Sequence, residues 1–236
     1  MFLTLILSSM VLAEEKCTLD SIDFPSLDGF QSAVLKKYGA TCKPSLDPEN
    51  EKLAANLYRE VQKAIKDDDI PTAKAKINEL MTKYSDTRLA RRAKRTQNEL
   101  NVFEKKLSNN LDKVEWLQGK ASFQDAKLSL VVFWELWCPH CKREIPNLQK
   151  TYETFKGKEL NIIGLTKLSR NRTTEDVMTF LQENNVDYPI GKEDGTLSAE
   201  FAVSGIPAAA LVKDGTIIWR GHPASLTTEK IEKHLQ

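Results

Sequence analysis

Residues 128–142 read L-S-L-V-V-F-W-E-L-W-C-P-H-C-K. The first seven are almost continuously apolar and rich in β-branched residues, the pattern of a strand buried on both faces. Behind them stand Trp137 and two cysteines, Cys138 and Cys141, separated by Pro139 and His140. Helical spacing then begins, with Ile145, Leu148, Tyr152 and Phe155 on one side, which predicts a helix over 138–155. A Cys-x-x-Cys at a strand-to-helix junction puts Cys138 at the helix N-terminus, where unpaired N–H groups and the helix dipole favour a thiolate. Cys141 lies one turn further on the same side, so the pair can close into a disulfide and reopen. Cys138 is the expected nucleophile, Cys141 the partly buried resolving thiol, and Trp137, Pro139 and His140 the residues that tune them.

Other uses of the cysteines make different demands. A zinc site needs two more ligands, and His140, His222 and His234 do not pair at ligand spacing. Two thiolates can hold Cu(I), so a copper-handling module at Cys138 and Cys141 is the alternative that binds rather than catalyses. No other metal and no cofactor is expected.

Further along, "ELNIIGL" (159–165) reads as a second buried strand and "TTEDVMTFLQENN" (173–185) as a helix opened by threonine caps. "AAALVKDGTIIWRG" (208–221) reads as a hairpin turning at Asp214-Gly215. "TTEKIEKHL" (227–235) closes the chain as a helix. Strands alternating with helices predict an α/β domain over 110–236, a mixed central sheet flanked by helices.

The preceding part has a different texture. Asp47 and Pro48 are good N-cap and N1 residues, and Leu53, Leu57, Val61, Ala64 and Ile65 make one helical face. Ala73, Ile77, Leu80, Met81 and Tyr84 make a second face. Leu89, Ala93, Leu100, Phe103 and Leu107 make a third. A shorter helix is expected over 29–38. Residues 14–109 therefore read as an all-α domain, a helical bundle or a tetratricopeptide-like helix pair, which could dimerise the protein or dock a partner. Arg88, Arg91, Arg92, Lys94 and Arg95 cluster there, as a solvated face or as a docking site for an acidic partner.

The first thirteen residues, "MFLTLILSSMVLA", carry no charge and end in a small-x-small pattern, as in a signal peptide cleaved before Glu14. The run is too short to span a bilayer. The expectation is a periplasmic protein without stable membrane insertion. In that oxidising setting Cys17 and Cys42 would form a structural disulfide, worth roughly 3.5 kcal/mol by the chain-entropy argument, the functional alternative being a second redox pair that passes electrons to the first. The 34 basic and 33 acidic residues leave a net charge of +1, which gives no reason to expect nucleic acid as a partner.

The Trp-Cys-x-x-Cys after "VVFW", followed by Gly205-Ile206-Pro207 before "ALVKDG", resembles the thioredoxin fold. That resemblance implies a cis Ile206-Pro207 bond beside the cysteines and a peptide client docked on the Ile206 backbone. The stretch between the motifs is similar to the TlpA/ResA-like branch of exported thiol-disulfide oxidoreductases. Protein thiol or disulfide clients and a redox-recycling partner follow from it. A buried Asp of cytosolic thioredoxins is replaced here by Val132, which leaves Glu135 and Lys167 as candidates for proton transfer and His222 as a candidate groove residue. The Pro-His dipeptide resembles DsbA-type oxidases, while the branch around it is mostly reducing. A dimeric disulfide isomerase is a further alternative.

Overall fold

The computed structural model describes residues 47–108, 111–157 and 159–236. The expected signal peptide, the 29–38 helix and the Cys17–Cys42 disulfide lie outside these residues.

Three helices open the described chain: α1 (Pro48–Lys66), α2 (Ile70–Lys83) and α3 (Arg88–Asn101). Each start has a side-chain cap. Asp47 accepts from Glu49 N at 2.9 Å, Asp69 from Thr72 N at 3.1 Å and Thr87 from Ala90 N at 3.0 Å. Each cap satisfies one of the N–H groups left unpaired at a helix start. The expected faces meet in a core of their own, with Leu57, Val61, Ile77, Leu80 and Leu100 buried and Ala73, Ala90 and Ala93 where the helices approach. Leu53 is the exception; it stays 41% exposed.

The third helical face differs from expectation at its end. Helix α3 stops at Asn101, and Glu104 has a φ of 67°. Leu107 therefore does not continue the helix. The chain instead runs extended beside a sheet edge: Glu104 N donates to Ile217 O at 2.8 Å, Ile217 N to Lys105 O at 3.0 Å and Leu107 N to Gly215 O at 2.8 Å. Edge-strand groups that would otherwise be unpaired find partners this way, and this outweighs the local helical spacing.

Six strands follow: β1 (Glu115–Gln118), β2 (Leu128–Trp134), β3 (Leu160–Thr166), β4 (Ile190–Lys192), β5 (Ala208–Lys213) and β6 (Thr216–Gly221). They form one sheet in the order β1-β4-β3-β2-β5-β6. Strands β4, β3 and β2 are parallel; β1, β5 and β6 pair antiparallel with their neighbours. Helices α4 (Pro139–Phe155), α5 (Thr174–Glu183), α6 (Thr196–Glu200) and α7 (Thr228–Leu235) complete the element order.

Strand β2 is buried along its whole length, and its period of two feeds two cores. Leu128, Leu130, Val132 and Trp134 pack with α4, α5 and α7 residues such as Ile145, Leu181 and Ile231. Val131 and Phe133 pack on the opposite face against Leu197 and Phe201. Gly164 of β3 lies opposite Val132 of β2. A Cβ there would lie 2.4 Å from Ile190 Cδ1, so glycine is what lets Ile190, Trp134 and Tyr188 close over the strand. This thioredoxin-like α/β layering is the fold expected of the C-terminal part.

Candidate redox site

The parallel strands β2, β3 and β4 end on one side of the sheet, the edge where open α/β sheets bind ligands. A cleft of about 370 Å³ opens there, lined among others by Trp134, Glu135, Lys167, Glu193 and Ile206. Residues 135–137 turn the chain out of β2, and Cys138, with φ −85° and ψ 115°, becomes the N-cap of α4. Pro139 takes N1, where its missing N–H costs nothing. The Cys141 N–H, at N3, points at the Cys138 sulfur at 3.4 Å. The Cys138 thiol in turn donates to the Ile206 carbonyl at 3.7 Å. The Ile206–Pro207 peptide bond is cis, and β5 begins directly after it.

Both cysteines are free thiols. Cys138 is 5% exposed and Cys141 fully buried, so Cys138 is the one nearer to solvent. Burial pushes the Cys141 thiol well above its ordinary value of 9.0, and the hydrogen bond and charge of Cys138 push the same way. The Glu135 backbone N–H opposes that shift, while the Glu135 carboxylate adds to it.

The other expected residues take distinct places. Trp137 Nε1 donates to Glu135 Oε2 at 2.6 Å, and Ser169 Oγ donates to the same oxygen. Arg170, at a φ of 54°, lays its guanidinium 3.5 Å from the Trp137 ring centroid. The indole is thus held from its edge and its face. His140 is exposed, with Nδ1 2.7 Å from Arg143 Nη2. A guanidinium cannot accept, so Nδ1 is the acceptor and a neutral ring carries its proton on Nε2. Lys167 lines the cleft and reaches Glu193 Oε1 at 3.4 Å. His222 does not line it. Its Nδ1 accepts from Ala224 N at 3.1 Å and caps the short turn Pro223–Ser225.

Glu193 escaped the sequence reading. Its side chain is 2% exposed, yet both carboxylate oxygens are satisfied. Ser198 Oγ and Lys167 face Oε1, and Gly195 N donates to Oε2 at 2.7 Å. The only sequence signal was an acidic residue in the charged, glycine-bounded stretch Gly191-Lys192-Glu193-Asp194-Gly195, a pattern common on surfaces. Among the described residues no cluster of three or more His, Cys, Asp or Glu could hold a metal ion. No helix among them is long and apolar enough to cross a membrane.

Comparison with known proteins converges on the same half of the chain. Residues 105–220 match the family model described as AhpC/TSA. Thioredoxin-like protein YneN of Bacillus subtilis is 25% identical over 118 residues, covering 49% of this chain and 69% of its own. Sporulation thiol-disulfide oxidoreductase A of Bacillus subtilis is 24% identical over 106 residues, covering 44% and 64%. Thiol-disulfide oxidoreductase ResA of Bacillus cereus is 28% identical over 122 residues, covering 51% and 64%. This chain therefore spans 64 to 69% of the length of these relatives. The crystal structure of StoA from Bacillus subtilis aligns with 52% of this chain and 94% of its own, at 23% identity and a TM-score of 0.45.

Proposed function

We propose that this chain, whose residues 105–220 match the AhpC/TSA family and adopt a thioredoxin-like fold, is an extracytoplasmic thiol-disulfide oxidoreductase acting on protein clients through Cys138 and Cys141. The observation that carries the reading is the pair itself. A helix N-cap thiol receives the N–H of the second cysteine and sits against the Ile206 carbonyl. The location rests on the uncharged leader "MFLTLILSSMVLA". That three relatives bear thioredoxin-like or thiol-disulfide oxidoreductase names supports the chemistry.

In the reducing direction the Cys138 thiolate attacks one sulfur of a client disulfide. The client S–S bond breaks, its other sulfur leaves as a thiolate and takes up a proton, and Cys138 is joined to the client. Cys141 then loses its proton and attacks the Cys138 sulfur. The second client thiolate leaves and is protonated. Two electrons pass to the client, and the Cys138–Cys141 disulfide remains for a recycling dithiol to reduce. The oxidising direction is the reverse sequence, recycled by an oxidant.

The test is dithiothreitol-driven reduction of insulin. Turnover is expected from the wild type and loss of turnover from Cys138→Ser. Cys141→Ser should accumulate the client-bound mixed disulfide. Wild-type protein that turns over neither insulin nor glutathione disulfide, yet binds Cu(I) tightly, would replace this reading with the copper-handling one.

A further inference from the structure

The helical half brings a cation to the redox cleft. A Cβ at Gly205 would lie 2.8 Å from Arg95 Nη1 and 2.9 Å from Nη2, so the Arg95 guanidinium rests on the backbone just before Ile206. Gly205 and Ile206 both line the cleft, and the Ile206 carbonyl accepts from the Cys138 thiol. Arg95 is held by the helix rather than by a loop. Its Nε donates to Glu99 Oε1 at 3.1 Å, one turn on. Glu99 also attracts the buried Arg220 of β6, which couples this face of α3 to the sheet. The extended segment from Glu104 to Leu107 fixes the chain after α3 to the same strand. The Arg95 side chain nevertheless remains 55% exposed, and its two Nη atoms are turned to Gly205. Arg88 and Arg92 are exposed and share its helical face, seven and three residues earlier, so the positive stripe continues away from the cleft.

We propose that Arg95 is a specificity-determining residue of the client groove, selecting peptide segments that carry an Asp or Glu close to the reacting cysteine. The proposal rests on the thiol-disulfide reading above. A client strand laid along Ile206 passes the Arg95 guanidinium, and a carboxylate there gains a partner while an ammonium group is repelled. Arg92 and Arg88 extend the preference to longer acidic segments. The effect belongs in binding and encounter, hence in kcat/KM, and is screened by salt.

The experiment compares two disulfide-linked peptides differing only beside the cysteine, one with Asp-Glu and one with Asn-Gln, each reduced by the dithiothreitol-recycled full chain. Wild-type kcat/KM should favour the acidic peptide by about two- to fivefold at low salt, the range of a partly exposed ion pair. The preference should shrink at high salt. Arg95→Gln should bring the ratio to about one, Arg95→Glu should invert it, and Arg95→Lys should keep it. An acidic preference unchanged in Arg95→Gln and Arg95→Glu, or absent from the wild type, would overturn the assignment while leaving the redox reading intact. A wild type that reduces neither peptide would instead bring down the redox reading, and this inference with it.

Discussion

Cys141 is uncharged in the resting site because its thiol is fully buried and faces the Cys138 sulfur. The folded state therefore keeps that proton to higher pH than the unfolded chain does. Stability is fully present below about pH 9 and declines as pH rises above it, since only the unfolded chain releases the proton there. In a Cys138→Ser background, where Cys141 is the one titrating member of the pair, stability relative to the double Ser variant should fall by up to about 1.4 kcal/mol per pH unit above that point. Urea unfolding from pH 7 to 10 measures it; a flat difference would mean that the thiol is not desolvated. His140 acts differently. With Arg143 donating to Nδ1, the neutral ring offers Nε2–H as its donor. Where that N–H reaches the Cys138 thiolate it stabilises the reduced form, and His140→Pro should then make the couple more reducing. An unchanged potential against glutathione would show that the ring does not reach the sulfur's field.

Among the elements, α5 has the fullest cap. Thr173 Oγ1 accepts from Asp176 N at 3.2 Å, and Thr173 N donates to Asp176 Oδ2 at 3.0 Å. This reciprocal pair satisfies two backbone donors at once. Thr173→Ala should destabilise the protein by about 1 kcal/mol, read from the urea midpoint, with no change in the potential of the cysteine couple. Helix α4 makes a contrasting case. Pro146 lies within it and supplies no N–H for the Lys142 carbonyl, so the first turns after the cysteines have one hydrogen bond fewer. They are held instead by side chains. Tyr188, fully buried, donates to the Ile145 carbonyl at 2.9 Å, and Gln149 accepts from Asp187 N at 2.9 Å.

Across the molecule, the helical part with its own core is joined to the α/β part and its two cores along a seam. The helical core around Val61 and Ile77 meets the α/β sheet along α3, the 104–107 segment and β6, with a further ion pair from Asp68 to Lys233 at 3.1 Å. If that segment is a true edge strand, the amides of Glu104, Leu107 and Ile217 exchange slowly and lose protection together. Hydrogen exchange followed by NMR checks this. Fast exchange at Glu104 and Leu107 beside slow exchange within β5 would show the seam to be open in solution. The same seam is what carries Arg95 to the cleft, so it matters to the site as well as to stability.

The sequence alone determined the elements whose periodicity is strong and local. The buried run 128–134, the Cys-x-x-Cys opening a helix, the Asp214-Gly215 hairpin and the three helical faces before residue 101 all follow from burial pattern and turn chemistry. The pairing of Cys138 with Ile206-Pro207 was legible only through family resemblance, because nothing local links positions so far apart. Tertiary structure decided the rest. Strands β1 and β4 are short and weakly patterned; β4 is made a strand by its ladder with β3, and β1 by its ladder with β4. Glu193 becomes a buried carboxylate only because Lys167 and Ser198 converge on it. Leu107 leaves the helical pattern because β6 offers unpaired backbone groups. Arg95 reads as one member of a basic run until the seam lays it on Gly205. In each case the deciding energy comes from partners distant in sequence, and local pattern carries no record of them.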